Sequence, residues 1–172
     1  MRVLAALPSV LLLSVFAVSA AAEDKQAPTP QAGKHPLLEQ FKQLAGDWVG
    51  KEGNGVHVKY KVTSNGSTVV ETLFPDTDHE MITTIHQDGD DLVLKHYCAL
   101  GNQPHMKASG KGDGKKVPFV FTHASNLKSE KDMYMHDVTY TFVDKDTLKT
   151  EWTHYKDGKP GEKAVFELKR KK

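Results

Sequence analysis

The segment Asp91 to His105, DLVLKHYCALGNQPH, carries an alternating apolar run into a histidine and the chain's one cysteine. Side chains two apart on a strand share a face, so His96 and Cys98 sit beside Leu92 and Leu94, with Cα atoms about 6.5–7 Å apart. Imidazole and thiolate at that spacing can converge on one atom, and both suit zinc or copper. His136 and His154, on other extended segments, could complete such a set. One inward histidine flanked by Phe119, Phe121, Tyr134 and Trp152 could instead serve as the axial ligand of a haem, held without covalent attachment because C-x-x-C-H is absent. Cys98 beside a histidine base could act as a nucleophile. Against these stand the missing patterns: the sequence has no C-x-x-C pair and no H-E-x-x-H helix. Lone buried cysteines and histidines commonly do no more than pack and hydrogen-bond, here with Tyr134 or Asp137 as partners for His96. Cofactor and metal therefore stay open, and binding is favoured over catalysis.

Positioning these residues is the work of a long series of hairpins. Leu37, Leu38, Phe41 and Leu44 recur at helical spacing behind Pro36, and Gly46 can stop that helix, which is expected over 36–45. From there the period becomes two. Ten strands are expected, at 47–52, 56–64, 67–74, 79–87, 91–99, 105–110, 117–123, 133–143, 147–155 and 162–169. Asn65-Gly66 is a favoured two-residue turn, and Asp88-Gly89-Asp90, the Gly-rich 110–116 and Asp144–Asp146 mark others. With no helix between strands, pairing must be antiparallel. Short connections joining neighbours predict an all-β, up-and-down antiparallel barrel of about 8–10 strands with one short N-terminal helix, closed so that no edge is left exposed.

Alternation assigns faces. Val56, Val58, Tyr60 and Val62 point inward; so do Phe119, Phe121 and His123; Tyr134, His136, Val138, Tyr140 and Phe142; Leu148, Thr150, Trp152 and His154; and Ala164, Phe166 and Leu168. Alternate turns lie at opposite ends. The helix and the turns at 65–66, 88–90, 110–116 and 144–146 share a bottom end. Six of the nine histidines, His79, His96, His105, His123, His136 and His154, fall toward the other end, where ligands enter barrels.

The opening Gly46-Asp47-Trp48, after a short helix, resembles the start of the lipocalins and wider calycins. The resemblance implies a closed barrel with a ligand cavity, a tryptophan that closes the bottom, and a basic residue of the last strand, Lys169 or Arg170, packed across it. The run SNGSTVVETLFPDTDHEMITTIHQDGDDLVLKHYCALGNQP, in the middle of the chain, resembles exported bacterial proteins of unknown function with a lipocalin-like domain.

Residues 1–22 combine Arg2, an apolar stretch and a Val18-Ser19-Ala20 cleavage pattern, the marks of a secretory signal peptide too short to span a membrane. Residues 23–35 are polar and Pro-rich, a flexible leader, leaving 36–172 as the barrel domain. Without Arg2, 22 basic residues face 22 acidic ones. That neutrality argues against nucleic-acid partners. The expected protein is exported, periplasmic or secreted, with no membrane span in its mature chain. It would hold a small hydrophobic or amphipathic molecule against His96, Cys98, Phe119, Phe121, Tyr134, His136, Tyr140, Trp152 and His154. Since imidazoles titrate near neutrality, binding is expected to change between about pH 5 and 8. The alternatives are a metal or haem site, or a filled barrel with a structural role.

Overall fold

The computed structural model describes residues 35–51, 55–110 and 113–172. The expected signal peptide, 1–22, and the leader apart from His35 lie outside the described residues. Among the described residues, no helix is long and apolar enough to cross a membrane. The chain opens with α1 (Pro36–Lys42) and continues through ten strands: β1 (Gly46–Gly50), β2 (His57–Thr63), β3 (Thr68–Leu73), β4 (Met81–Asp88), β5 (Asp91–Tyr97), β6 (Gln103–Ala108), β7 (Lys116–Ser125), β8 (Tyr134–Asp144), β9 (Thr147–Lys156) and β10 (Lys159–Arg170). Each strand pairs antiparallel with its neighbours in sequence, and β1 pairs with β10, closing an up-and-down barrel. Closure leaves no free row of backbone donors and acceptors.

Pattern and turn chemistry explain the register. Gly89, at φ +59°, makes the two-residue turn between the paired Asp88 and Asp91. At Asn65-Gly66 the turn is longer than expected. Thr63 pairs with Thr68, so four residues bridge the strands, and Ser64, Asn65 and Gly66 all take positive φ. Two short polar residues tolerate that conformation well enough to lengthen the loop.

The bottom is closed by stacked layers. Leu37, Leu38 and Phe41 of α1 are buried, and the Phe41 ring meets Phe119, Tyr140 and Phe142 edge-on at 5.8, 5.0 and 5.3 Å. Trp48 is wholly buried and donates its indole N–H to the Leu44 carbonyl at 2.7 Å. The basic residue across it is Arg170, whose guanidinium lies 4.4 Å from the ring centroid. Lys169 points to Thr147 instead. Arg170 also donates to the carbonyls of Ala45, at 2.9 Å, and Gln43, at 2.8 Å. Those carbonyls follow α1, where the helix leaves acceptors without intrahelical donors. Gly46, next in the chain, is favoured there by its φ of +126°, which other residues rarely adopt.

Two irregularities at the other end change the predicted faces. In β7 the pairing with β6 slips between His105↔His123 and Met106↔Phe121, so one extra residue is accommodated near Thr122. Met106 is buried in the core, whereas His123 stacks on the partly exposed His105 at 4.1 Å. His123 is therefore not inward. In β8 the slip falls between Met135↔His154 and Asp137↔Thr153, which makes His136 the extra residue. Met135, not His136, takes the core-facing place below it. A period of two cannot survive an inserted residue.

Candidate functional site

A carboxylate inside the barrel is the main feature of the interior. In β3, Val69, Glu71 and Leu73 alternate inward, and Glu71 is only 1 % exposed. Tyr60 of β2 donates to one of its oxygens at 2.5 Å and Tyr140 of β8 to the other at 3.0 Å. The Thr83 hydroxyl of β4 also acts on it, and that hydroxyl lies 3.0 Å from His96 Nδ1 on β5. The His96 ring in turn packs on Trp152 of β9, with centroids 4.8 Å apart. Six strands thus contribute to a continuous chain, Tyr60–Glu71–Tyr140 on one branch and Glu71–Thr83–His96–Trp152 on the other. Its partner for His96 is Thr83, not Tyr134 or Asp137.

Burial controls the charges. It raises the Glu71 pKa above the usual carboxylate range, opposed by the hydrogen bonds from Tyr60, Thr83 and Tyr140. It pushes both phenols well above their ordinary value, reinforced by the Glu71 charge. Burial also drives His96 from an ordinary value of 6.5 down to about 4. The imidazole stays neutral through the physiological range, so His96 does not supply the titration expected between pH 5 and 8.

The depressed His96 pKa makes a stability prediction with a definite sign. As pH falls through 6.5 the unfolded chain takes up a proton that the folded chain refuses until about 4. Stability is therefore complete above the upper value and is lost across that window, by about 3 kcal/mol. Glu71 acts in the opposite sense, because its raised pKa relieves the cost of burying the ionised form as acid is added. His96→Gln isolates the imidazole, since Glu71 is common to both proteins. In urea titrations from pH 7.5 to 4.5 the free-energy gap between wild type and variant should shift by 2–3 kcal/mol in favour of the variant. Parallel pH curves would contradict this.

Among the described residues five buried side-chain polar atoms lack protein partners, on His35, Gln87, Asn102, Thr141 and Trp152. The Trp152 indole Nε1 has none, although the residue is 3 % exposed. Asn102, just before β6, donates to the Met133 carbonyl at 2.8 Å but leaves Oδ1 unpaired. A buried group without a partner costs about 1–3 kcal/mol, which directs attention to what would satisfy it.

The expected site residues fall into separate groups. His96, Trp152, Tyr140 and Phe119 lie together in the interior, Tyr140 touching both Phe119 and Trp152 edge-on at 5.9 and 6.4 Å. Phe119 and Tyr140 are fully buried, packed beneath Trp152 against the helix that plugs the bottom. Phe121, Tyr134 and His136 form a second group with Tyr155. His136 is sandwiched between Phe121, at 4.8 Å, and Tyr155, at 3.9 Å, with Tyr134 against Phe121 at 4.9 Å. These rings cluster where the β7–β8 pairing ends, beyond Phe119↔Val138. There the Asp137 carboxylate accepts the Phe121 backbone N–H at 3.3 Å and also bonds His136 Nδ1 at 2.7 Å. Cys98 is half-buried in the turn after β5, and burial raises its thiol pKa. His154 lies directly over Gly161, where a Cβ would come within 2.0 Å of the ring.

His96, Cys98, His136 and His154 thus occupy different surroundings, and among the described residues no three His, Cys, Asp or Glu side chains are grouped to hold a metal. Sequence reading overlooked Glu71 and Thr83. For Glu71 the signal was present in TVVETL, a carboxylate on the same strand face as Val69 and Leu73. No protein-family model matches the chain, and no curated protein matches it.

Proposed function

We propose that the chain is exported, with residues 1–22 removed as a signal peptide and the leader carrying the barrel. In this reading the lipocalin-like barrel binds a small, largely apolar molecule that has a polar end. His96 and Trp152 orient that end, Phe119 and Tyr140 close the floor beneath it, and Phe121, Tyr134 and His136 border the entrance where β7 and β8 separate. Cys98 and His154 sit at strand ends on the same side. The observation that carries the reading is the Trp152 indole: a hydrogen-bond donor, buried in the barrel beside a neutral imidazole, with no protein acceptor. Ligand sites in barrels combine apolar walls with a few convergent polar groups of this kind.

Native mass spectrometry of protein taken from its own organism tests the proposal. A small organic adduct, lost on collisional activation, is the expected result. A mass equal to the polypeptide alone, together with no uptake of any lipophilic dye, would leave a filled barrel. A metal or haem mass would transfer the interior histidine to cofactor ligation.

A further inference from the structure

We propose that the interior selects a neutral molecule with an oxygen acceptor, such as an alcohol, amide or ketone on an apolar body, and rejects a fatty-acid carboxylate; this rests on the ligand-binding reading above. The argument begins with the unpaired Trp152 indole Nε1. Indole offers one donor and no acceptor. Whatever satisfies it must present a lone pair, and oxygen attached to carbon is the common form among apolar molecules.

Charge then narrows the class. Among the described residues no lysine or arginine is buried, so the interior holds no fixed cation to neutralise an anion. His96, whose ring packs on Trp152, remains neutral above pH 5. Glu71 lies on the same side-chain chain, joined to Tyr140, whose ring touches Trp152, and through Thr83 to His96. Burial already disfavours the ionised form of this carboxyl, so the surroundings penalise negative charge. A carboxylate entering this space would give up its hydration and receive one N–H bond, with no counter-charge. A neutral oxygen accepts the same N–H bond without that penalty.

Two tryptophans make the test direct, because only Trp48 and Trp152 contribute indole N–H signals. Trp48 Nε1–H is already bonded to the Leu44 carbonyl and serves as an internal reference. The folded, nitrogen-15-labelled full chain is titrated at pH 7.5 with 1-octanol, octanamide and octanoate. The Trp152 signal should move downfield with the first two while the Trp48 signal holds still. Octanoate should bind at least tenfold more weakly. Trp152→Phe should lower 1-octanol and octanamide affinity about tenfold, the worth of one hydrogen bond, with the Trp48 signal confirming the fold. Octanoate binding as tightly as 1-octanol would overturn the selectivity and leave the ligand-binding reading standing. If no probe binds and the indole shows cross-relaxation to a long-lived water, the acceptor is water and both readings fall.

Discussion

Replacing Glu71 by leucine should destabilise the folded protein by about 3–4 kcal/mol, a larger loss than most core substitutions of similar size. The carboxylate takes hydrogen bonds from two phenols that are themselves wholly buried, Tyr60 at 2.5 Å and Tyr140 at 3.0 Å. Leucine fills much of the volume but leaves both O–H groups without an acceptor in a low-dielectric interior. Each orphaned hydroxyl costs about 1–3 kcal/mol. The same reasoning predicts recovery. In the triple variant Y60F/E71L/Y140F every member of this branch becomes apolar, and most of the lost stability should return, because a buried polar cluster is costly when broken and near neutral when removed whole. Urea denaturation of the two variants and wild type decides the matter. A triple variant no more stable than E71L would show that the three groups do not act as a unit.

This network also marks where sequence reading reached its limit. The alternation of Leu92, Leu94 and His96, or of Leu148, Thr150 and Trp152, identifies inward residues because each strand is regular over that length. Strand order and closure follow from the short connections. His123 was misplaced because it lies beside an inserted residue, and His136 because it is the inserted residue of its strand. An insertion leaves composition and apparent period unchanged, so only pairing reveals it. The polar chain was illegible for another reason. Thr83, His96 and Glu71 belong to three strands, and each alone reads as an isolated polar residue among apolar ones. Their hydrogen bonds depend on registers such as Thr83↔His96 and Glu71↔Thr83, which no single segment specifies. The six histidines assigned to one end likewise do not form one constellation. His105 stacks with His123, His136 with Phe121 and Tyr155, and His96 with Trp152.

The bottom of the barrel should be as sensitive as the interior. Trp48→Ala is expected to cost about 4 kcal/mol, the usual range for deleting a large buried aromatic being 3–5. Three contacts are lost together: the edge-on packing with Tyr60 at 6.3 Å, the N–H bond to the Leu44 carbonyl, and the platform under the Arg170 guanidinium. Trp48→Phe retains a ring for Arg170 and loses the N–H bond, so about 1–2 kcal/mol should go. Arg170→Lys should cost a similar amount, because an ammonium cannot hold the Ala45 and Gln43 carbonyls in a fork while lying flat on the indole. Because Trp48 and Arg170 brace the same turn after α1, their substitutions should not add. Trp48→Ala should make a further Arg170→Lys nearly free, by the logic of a double-mutant cycle. Denaturant midpoints of the two single variants and the double variant measure this coupling, and strict additivity would mean that the guanidinium acts on the helix carbonyls alone. Trp48 meets the interior polar chain at Tyr60, on the opposite branch from Trp152, so Trp48→Phe should leave the Trp152 indole resonance in place; a shift there would mean that closing the bottom also sets the geometry around His96.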